Sequence, residues 1–103
     1  MLTDNSPRAA VATDLDIEAL RGALNDELKR GEAIIRELGP RATPNDDPVA
    51  YMTTVSTGRV NERILAALDR IAQGTYGTCI RCGGAIVPAR LEILPYAETC
   101  VDC

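Results

Sequence analysis

The chain has 103 residues and a formal net charge of −4, from fifteen acidic and eleven basic side chains. It contains no histidine, phenylalanine or tryptophan, and its aromatic residues are three tyrosines. This length allows one compact domain, or an elongated helical part joined to a small module. Apolar residues that are mostly Ala, Leu, Ile and Val suit helix–helix packing better than a large globular core. No apolar run is long enough to predict a transmembrane helix and no lipidation signal is present, so no membrane partner is expected.

The N-terminal segment, residues 1–12, contains proline and scattered polar residues and is predicted to be a disordered arm. No apolar signal-peptide core follows Met1, which predicts a cytoplasmic protein. Thiols in that compartment are kept reduced, which bears on how the cysteines are interpreted below.

A first helix is expected from a cap at Thr13 or Asp14 to Leu38, where Gly39-Pro40 supplies a stop. Apolar residues recur along it at steps near three and four residues, the spacing of one helix face. This stripe consists of Ile17, Leu20, Leu24, Leu28, Ile35 and Leu38.

The segment 39–48 is rich in proline, asparagine and aspartate and is predicted to be a loop. Asp47-Pro48 has the pattern of an N-cap followed by proline in the first turn, so a second helix is expected up to Gln73, with Gly74 as its stop. Low helix propensity across Thr53–Gly58 predicts frayed first turns, ordered in full only on binding a partner. The apolar stripe of this helix consists of Met52, Val55, Val60, Ile64, Leu68 and Ile71.

Two amphipathic helices joined by a short loop predict an antiparallel hairpin, because neither helix can bury its stripe alone. The fold class is therefore mainly α, with a coiled-coil-like hairpin at residues 13–73 and an acidic tip loop at 39–48. Gly22 and Gly31 each lower helix propensity by about 1 kcal/mol relative to alanine. They either permit close approach of the partner helix or are neutral drift.

The four cysteines form two Cys-x-x-Cys pairs, Cys79/Cys82 and Cys100/Cys103, separated by the 17 residues from 83 to 99. Each pair is short enough for one tight turn to aim both sulfurs at a single ion, and the spacer can bring the second turn opposite the first. Four thiolates with no open position favour one structural Zn²⁺.

Three alternatives to a purely structural zinc site follow from the same cysteines. Two disulfides would suit a secreted mini-protein, which the polar N-terminus does not favour. A rubredoxin-like iron site usually lies among aromatic residues, and this chain has only Tyr51, Tyr76 and Tyr96. A redox switch that releases zinc on oxidation is a third possibility that the residues leave open.

The module at residues 74–103 is expected to be a zinc ribbon or a treble-clef-like unit. Gly83 and Gly84 follow the first pair, where positive φ lets backbone amides point at sulfur. Residues 85–87 are predicted to form a short strand, and residues 88–91 a turn or a single helical turn. A unit of about thirty residues is too small to fold on apolar burial alone, so metal binding should supply its folding free energy.

Charge and composition argue against two function classes. The module has only Arg81 and Arg90 as bases, whereas nucleic-acid binders usually carry a basic stripe, so sequence-specific DNA binding is not expected. An enzyme is disfavoured because there is no histidine, the cysteines are assigned to the metal, and no serine or carboxylate-pair site is evident.

The last 37 residues contain a distinctive order of motif residues. It begins at the end of the second helix and continues through Gly-x-Tyr-Gly-x-Cys-x-x-Cys-Gly to Arg-Leu-x-x-x-Pro and the final cysteine pair. The residues concerned are 67–83, Ile86, Arg90, Leu91, Pro95, Ala97 and 100–103. In this order the chain resembles the DksA/TraR family.

The resemblance implies a zinc protein that binds RNA polymerase and regulates transcription initiation without binding promoter DNA. In the family the hairpin enters the secondary channel of the polymerase, with acidic residues at its tip. The family tip motif is Asp-x-x-Asp-x-Ala, whereas residues 45–50 are Asn-Asp-Asp-Pro-Val-Ala. By this resemblance, Asp46, Asp47 and Ala50 become the candidate partner-binding residues, although their spacing differs from the motif and Asp47 also suits a helix cap.

A rival interpretation is a zinc-stabilised adaptor that uses the same hairpin on another assembly, such as the ribosome or a stress-response protein. A zinc-responsive factor is a variant of this rival, in which loss of metal unfolds the module and changes the choice of partner. The sequence leaves the oligomeric state open, because a single hairpin could also bury leftover apolar surface by pairing with a second copy.

Overall fold

The computed structural model describes residues 16–103, which contain three α-helices. Helix α1 spans Ile17–Leu38, α2 spans Pro48–Gln73 and the short α3 spans Pro88–Ile93, with a single 3-10 turn at Gly39–Arg41. The mainly α fold class, a long helical hairpin followed by a four-cysteine cluster, is confirmed. The predicted arm at residues 1–12 lies outside the described residues. No helix in the described part of the chain is long and apolar enough to cross a membrane.

Helix α1 begins later than the sequence pattern suggested. Its N-cap is Asp16, whose carboxylate accepts a hydrogen bond from the Ala19 amide at 3.0 Å. The expected cap at Thr13 or Asp14 is therefore wrong: three aspartate or threonine residues lie within four positions, and the one nearest the first buried turn caps the helix. Thr13 and Asp14 themselves lie outside the described residues.

The end of α1 does not use the left-handed glycine that often stops a helix. Gly39 has φ −52°, an ordinary helical value, and the chain continues into the 3-10 turn through Pro40. Helix α2 ends differently. Gly74 is left-handed at φ 79°, its amide donates to the carbonyls of Arg70 and Ile71, and the Thr75 amide reaches Arg70 O at 2.9 Å. This is a Schellman cap, which turns the chain into the cysteine module.

Helix α2 is continuous through Thr53–Gly58, so the expected fraying of its first turns is not observed. The helix is capped by Asp47, whose carboxylate accepts from the Ala50 amide at 3.0 Å. Ala50 is itself buried, at 4% exposure, so the first turn is held both by its cap and by packing. Tertiary packing of this kind overrides weak local propensity.

The two long helices pack antiparallel, and their contact residues fix the register. Leu20 and Leu24 of α1 lie in one buried cluster with Ile64 and Ala67 of α2. Further toward the tip, Gly31 faces Asn61. The predicted stripes supply most of this face, but Met52 is 62% exposed because it lies on the flank of α2 rather than against α1.

The core of the hairpin base continues without a break into the cysteine module. The same cluster includes the module residues Tyr76, Cys79, Ile86, Leu91 and Ala97. The described chain is accordingly elongated, measuring 60 × 26 × 21 Å along its principal axes. The core lies at one end of this rod, and the 39–47 loop lies at the other.

The two interior glycines of α1 differ in their surroundings. A Cβ built on Gly31 would collide with the Asn61 side-chain oxygen and would lie 3.0 Å from Asn61 Cγ. A Cβ on Gly22 would meet nothing within 4 Å. Close approach of the partner helix therefore explains Gly31, and nothing in the structure explains Gly22.

Replacing Gly22 by alanine should stabilise the protein by about 0.5–1 kcal/mol, because the helix gains propensity without a clash. Gly31→Ala should gain less or lose stability, because the Asn61 side chain must move. Adding Asn61→Ala to Gly31→Ala should restore the gain. Thermal or urea unfolding measures all three, and equal stabilisation by both single substitutions would contradict the Gly31–Asn61 contact.

Candidate metal centre and hairpin tip

The first cysteine pair is built on a tight turn that two glycines permit. Gly77 has φ 87° and Gly83 has φ 77°, both left-handed values that favour glycine. Between them the chain doubles back, with the Cys79 amide donating to Gly84 O at 2.8 Å and the Ile86 amide to Gly77 O at 2.8 Å. The expectation of positive φ holds for Gly83 but is wrong for Gly84, whose amide instead lies 3.5 Å from Cys82 Sγ.

The predicted strand at residues 85–87 does not form. Within residues 16–103 the strand-like pairing is an isolated bridge between Thr78 and Ala85. The chain leaves this pairing after Ile86 because Pro88 begins α3 two residues later. The predicted turn or helical turn at residues 88–91 is a helix of six residues, Pro88–Ile93, with Leu91 fully buried.

The second cysteine pair is held against the first by hydrogen bonds from two elements. The Ile80 amide donates to Glu98 O at 2.9 Å, which joins the first turn to the segment before Cys100. From α3, Arg90 Nε donates to Thr99 O at 3.1 Å. Nothing in the sequence indicated this role for Arg90. A long side chain bonding a backbone carbonyl nine residues away leaves no periodic signal in the sequence.

All four sulfurs lie within 4.8 Å of one another. Cys82 and Cys100 Sγ are 3.7 Å apart, and Cys100 and Cys103 Sγ are 3.5 Å apart. These separations far exceed the roughly 2.0 Å of a disulfide, and all four cysteines are free. Four sulfurs converging on one point from two tight turns suit a single tetrahedral ion of Zn²⁺ type.

The environment of the sulfurs favours negative charge at the buried end of the cluster. The amides of Cys82 and Arg81 lie 3.5 and 3.4 Å from Cys79 Sγ. Hydrogen bonds from Cys82, Cys100 and Arg81 lower the pKa of Cys79 to about 6. The hydrogen bond to Cys100 is the main cause that raises the pKa of Cys103 to about 12. A divalent cation lowers the pKa of each thiol that binds it, so metal binding and deprotonation are coupled.

The cluster is attached to the hairpin through buried side chains. Cys79 is 2% exposed and belongs to the shared core, whereas Cys82 and Cys103 face solvent. Tyr76 packs in the same core, and its hydroxyl donates to Pro95 O at 2.8 Å. Burial raises the pKa of Tyr76 to about 12, so it remains a neutral donor. Tyr76 therefore packs the module against the base of the hairpin.

The candidate tip residues lie at the opposite end of the rod and have three different environments. Asp47 caps α2, and Ala50 is buried. Asp46 is exposed, with its backbone amide donating to Thr43 Oγ1 at 3.1 Å. The three residues lie within five positions of the chain, but only Asp46 is exposed.

Comparison with known proteins identifies the module. Residues 74–103 match the family model of the prokaryotic DksA/TraR C4-type zinc finger. The C-terminal module belongs to this zinc-finger family. The resemblance stated from the sequence is thereby confirmed, as is the zinc cofactor, because four cysteines of a C4 zinc finger are positioned to coordinate one metal ion.

Two curated relatives and one solved structure extend the comparison. General stress protein 16O of Bacillus subtilis (strain 168) is 30% identical over 91 residues, covering 77% of this chain and 56% of that protein. An uncharacterised protein of Aquifex aeolicus (strain VF5) is 46% identical over 37 residues, covering 36% of this chain and 26% of that protein. The chain therefore spans about half of the first relative and a quarter of the second.

The likeness to a solved structure covers nearly the whole chain. The structure of the transcription factor DksA2 from Pseudomonas aeruginosa aligns with a TM-score of 0.59 and 24% identity, covering 94% of this chain and 92% of that one. This similarity shows that the two chains share a fold, in which a helical hairpin extends from a four-cysteine module.

Replacing Cys79 by serine should abolish stoichiometric zinc binding and unfold the C-terminal module, because binding free energy supplies much of the folding free energy of such small units. Elemental analysis and the amide NMR spectrum of residues 74–103 measure the two effects. Thr99→Ser, next to Cys100, is the matched control and should keep both metal and fold. Full zinc content in Cys79→Ser would contradict a four-sulfur site.

Proposed function

We propose that this chain is a zinc-stabilised transcription regulator that binds RNA polymerase through its helical hairpin. Two findings together support the proposal. The C-terminal module matches the DksA/TraR zinc finger, and the chain shares the fold of the transcription factor DksA2. Cys79, Cys82, Cys100 and Cys103 are assigned as the ligands of one structural zinc ion. The polymerase is the assembly into which the hairpin reaches, by way of the secondary channel.

The shape of the molecule supports an insertion mechanism. The described chain is 60 Å long but only 26 × 21 Å across, so the hairpin can reach into a narrow opening while the module stays outside. At the far end of the rod is a loop with two aspartates, Asp46 and Asp47. A protein that binds the polymerase can shift the equilibrium between two polymerase states only if it binds them with different affinities. Regulation would therefore follow from different affinities of this chain for different polymerase complexes.

The same features argue for a protein partner rather than DNA or a substrate. The net charge is −4, and a surface of that sign gains nothing from the release of phosphate counterions. The DksA/TraR family consists of regulatory factors, and it is not a known class of enzymes. A cytoplasmic location follows from a polymerase partner and belongs to the same proposal.

A second candidate is favoured by the name of one relative. General stress protein 16O aligns with most of this chain, which supports a role in a stress response. In this alternative the hairpin binds another assembly, such as the ribosome, and the zinc module holds the hairpin or reports metal supply. The experiment below separates the two candidates by identifying the bound macromolecule.

The test places a photo-crosslinking amino acid at the tip, at Asn45, and a matched one on the module surface, at Glu92. The tip probe should crosslink in lysate to the large subunits of RNA polymerase, at peptides that line the secondary channel. The module probe should crosslink outside the channel. Recovery of ribosomal or other proteins by the tip probe, without polymerase subunits, would replace the polymerase proposal with the adaptor.

The acidic tip can be tested by removing its two negative charges. The double substitution Asp46→Asn and Asp47→Asn keeps a good N-cap at position 47 and removes two charges. We expect polymerase binding to weaken at least about tenfold, the loss typical of one charge-assisted hydrogen bond. Glu32→Gln, on the exposed side of α1, is the control and should bind normally. Equal binding by the double variant would contradict a functional tip.

A further inference from the structure

The tip loop is held in one shape by its own hydrogen bonds. The Ala42 amide donates to Gly39 O at 3.1 Å and the Thr43 amide to Arg41 O at 2.9 Å. The Asp47 amide then donates to Thr43 O at 3.1 Å. The loop between α1 and α2 is therefore a sequence of closed turns, whose hydrogen bonds are all made within the chain.

One side-chain pair closes this loop across its base. Arg41 Nε lies 3.1 Å from Asp47 Oδ2, while Asp47 Oδ1 accepts from the Ala50 amide at 3.0 Å. Both oxygens of Asp47 are thus engaged within the protein. The hydrogen bond from the Ala50 amide, followed by the hydrogen bond and charge of Arg41, lowers the pKa of Asp47, so the pair stays charged near neutral pH.

Asp46 has the opposite environment, although it is the next residue. Its side chain is exposed, and its carboxylate takes no part in the ion pairs or hydrogen bonds found among residues 16–103. Its backbone is fixed by the bond to Thr43 Oγ1. The tip therefore presents one available carboxylate on a loop that the neighbouring carboxylate helps to hold.

The Arg41–Asp47 pair is suited to fixing geometry rather than to stabilising the fold. Its side chains are 58% and 34% exposed, and exposed ion pairs contribute little to global stability. Yet the pair links the 3-10 turn to the first turn of α2, and so it defines the span in which Asp46 lies. A partner that meets Asp46 in a fixed orientation avoids the cost of ordering a flexible loop.

We propose that Arg41 is a positioning residue of the tip: with Asp47 it clamps the loop so that Asp46 alone meets a positively charged group of the partner. This inference rests on the proposed function, and it assigns different roles to the two aspartates. Asp46 makes the contact, Asp47 holds the helix cap and the clamp, and Arg41 acts on binding only through Asp46.

The clamp can be measured without any partner, in the zinc-loaded full chain. Arg41→Ala should speed amide hydrogen exchange at Asp46 and Asp47 by about fivefold, since loop protection depends on local opening. Exchange in α2 and the unfolding midpoint should stay the same. Arg36→Ala, the exposed arginine in the last turn of α1, is the control and should leave loop exchange unchanged. Unchanged exchange in Arg41→Ala would overturn the clamp.

Binding to purified RNA polymerase tests the positioning role by a double-mutant cycle. Asp46→Asn should weaken binding about tenfold and Arg41→Ala about threefold to fivefold, in keeping with the loss of a charged contact and of its alignment. In the Asp46→Asn background, Arg41→Ala should have no further effect, because nothing remains to be positioned. Arg41→Lys should restore part of the binding.

The possible failures are distinguishable. Equal weakening by Arg41→Ala in both backgrounds would show that Arg41 contacts the partner itself and would overturn the proposal. A wild-type chain that does not bind polymerase would overturn the proposed function and the role of Asp46 with it. In that case the hydrogen-exchange rates at Asp46 and Asp47 still show whether Arg41 restrains the loop.

Discussion

Four cysteine sulfurs hold together the module on which the hairpin is built. Two tight turns bring them within 4.8 Å, and the buried Cys79 places this cluster in the same core as Leu24 and Ile64. Because the module contributes several buried residues to that core, we expect its folding to be coupled to the packing of the hairpin base. Without a bound cation, thiolates at these distances would repel one another, and the two turns would lose the ion that joins them.

The far end of the rod is held by different interactions. No large apolar side chain is fully buried there, and the loop is shaped instead by a helix cap, a 3-10 turn and an exposed ion pair. Such contacts stabilise the fold only weakly, but each one constrains the direction of the backbone in the tip loop. Under the proposed function, the molecule thus separates stability, at the metal end, from recognition, at the tip. A continuous α2 connects the two ends.

The sequence predicted the features that have a period or a spacing. The apolar residues of each helix recur every three or four positions, and the two cysteine pairs share one spacing. Both features, and the hairpin that the two apolar stripes imply, could therefore be predicted from the sequence. What it missed depends on competition or distance: Asp16 caps α1 in place of Asp14, the expected strand at 85–87 is reduced to one bridge at Ala85, and packing keeps α2 intact through Gly58. The bond from Arg90 to Thr99 joins parts of the chain that no local pattern relates.

Zinc-edge X-ray absorption on the purified chain tests the central claim most directly. The account predicts one zinc per chain with four sulfur neighbours at about 2.3 Å and no nitrogen or oxygen neighbour. Substoichiometric metal in a fully folded chain, or a shell of fewer than four sulfurs completed by oxygen or nitrogen, would contradict it.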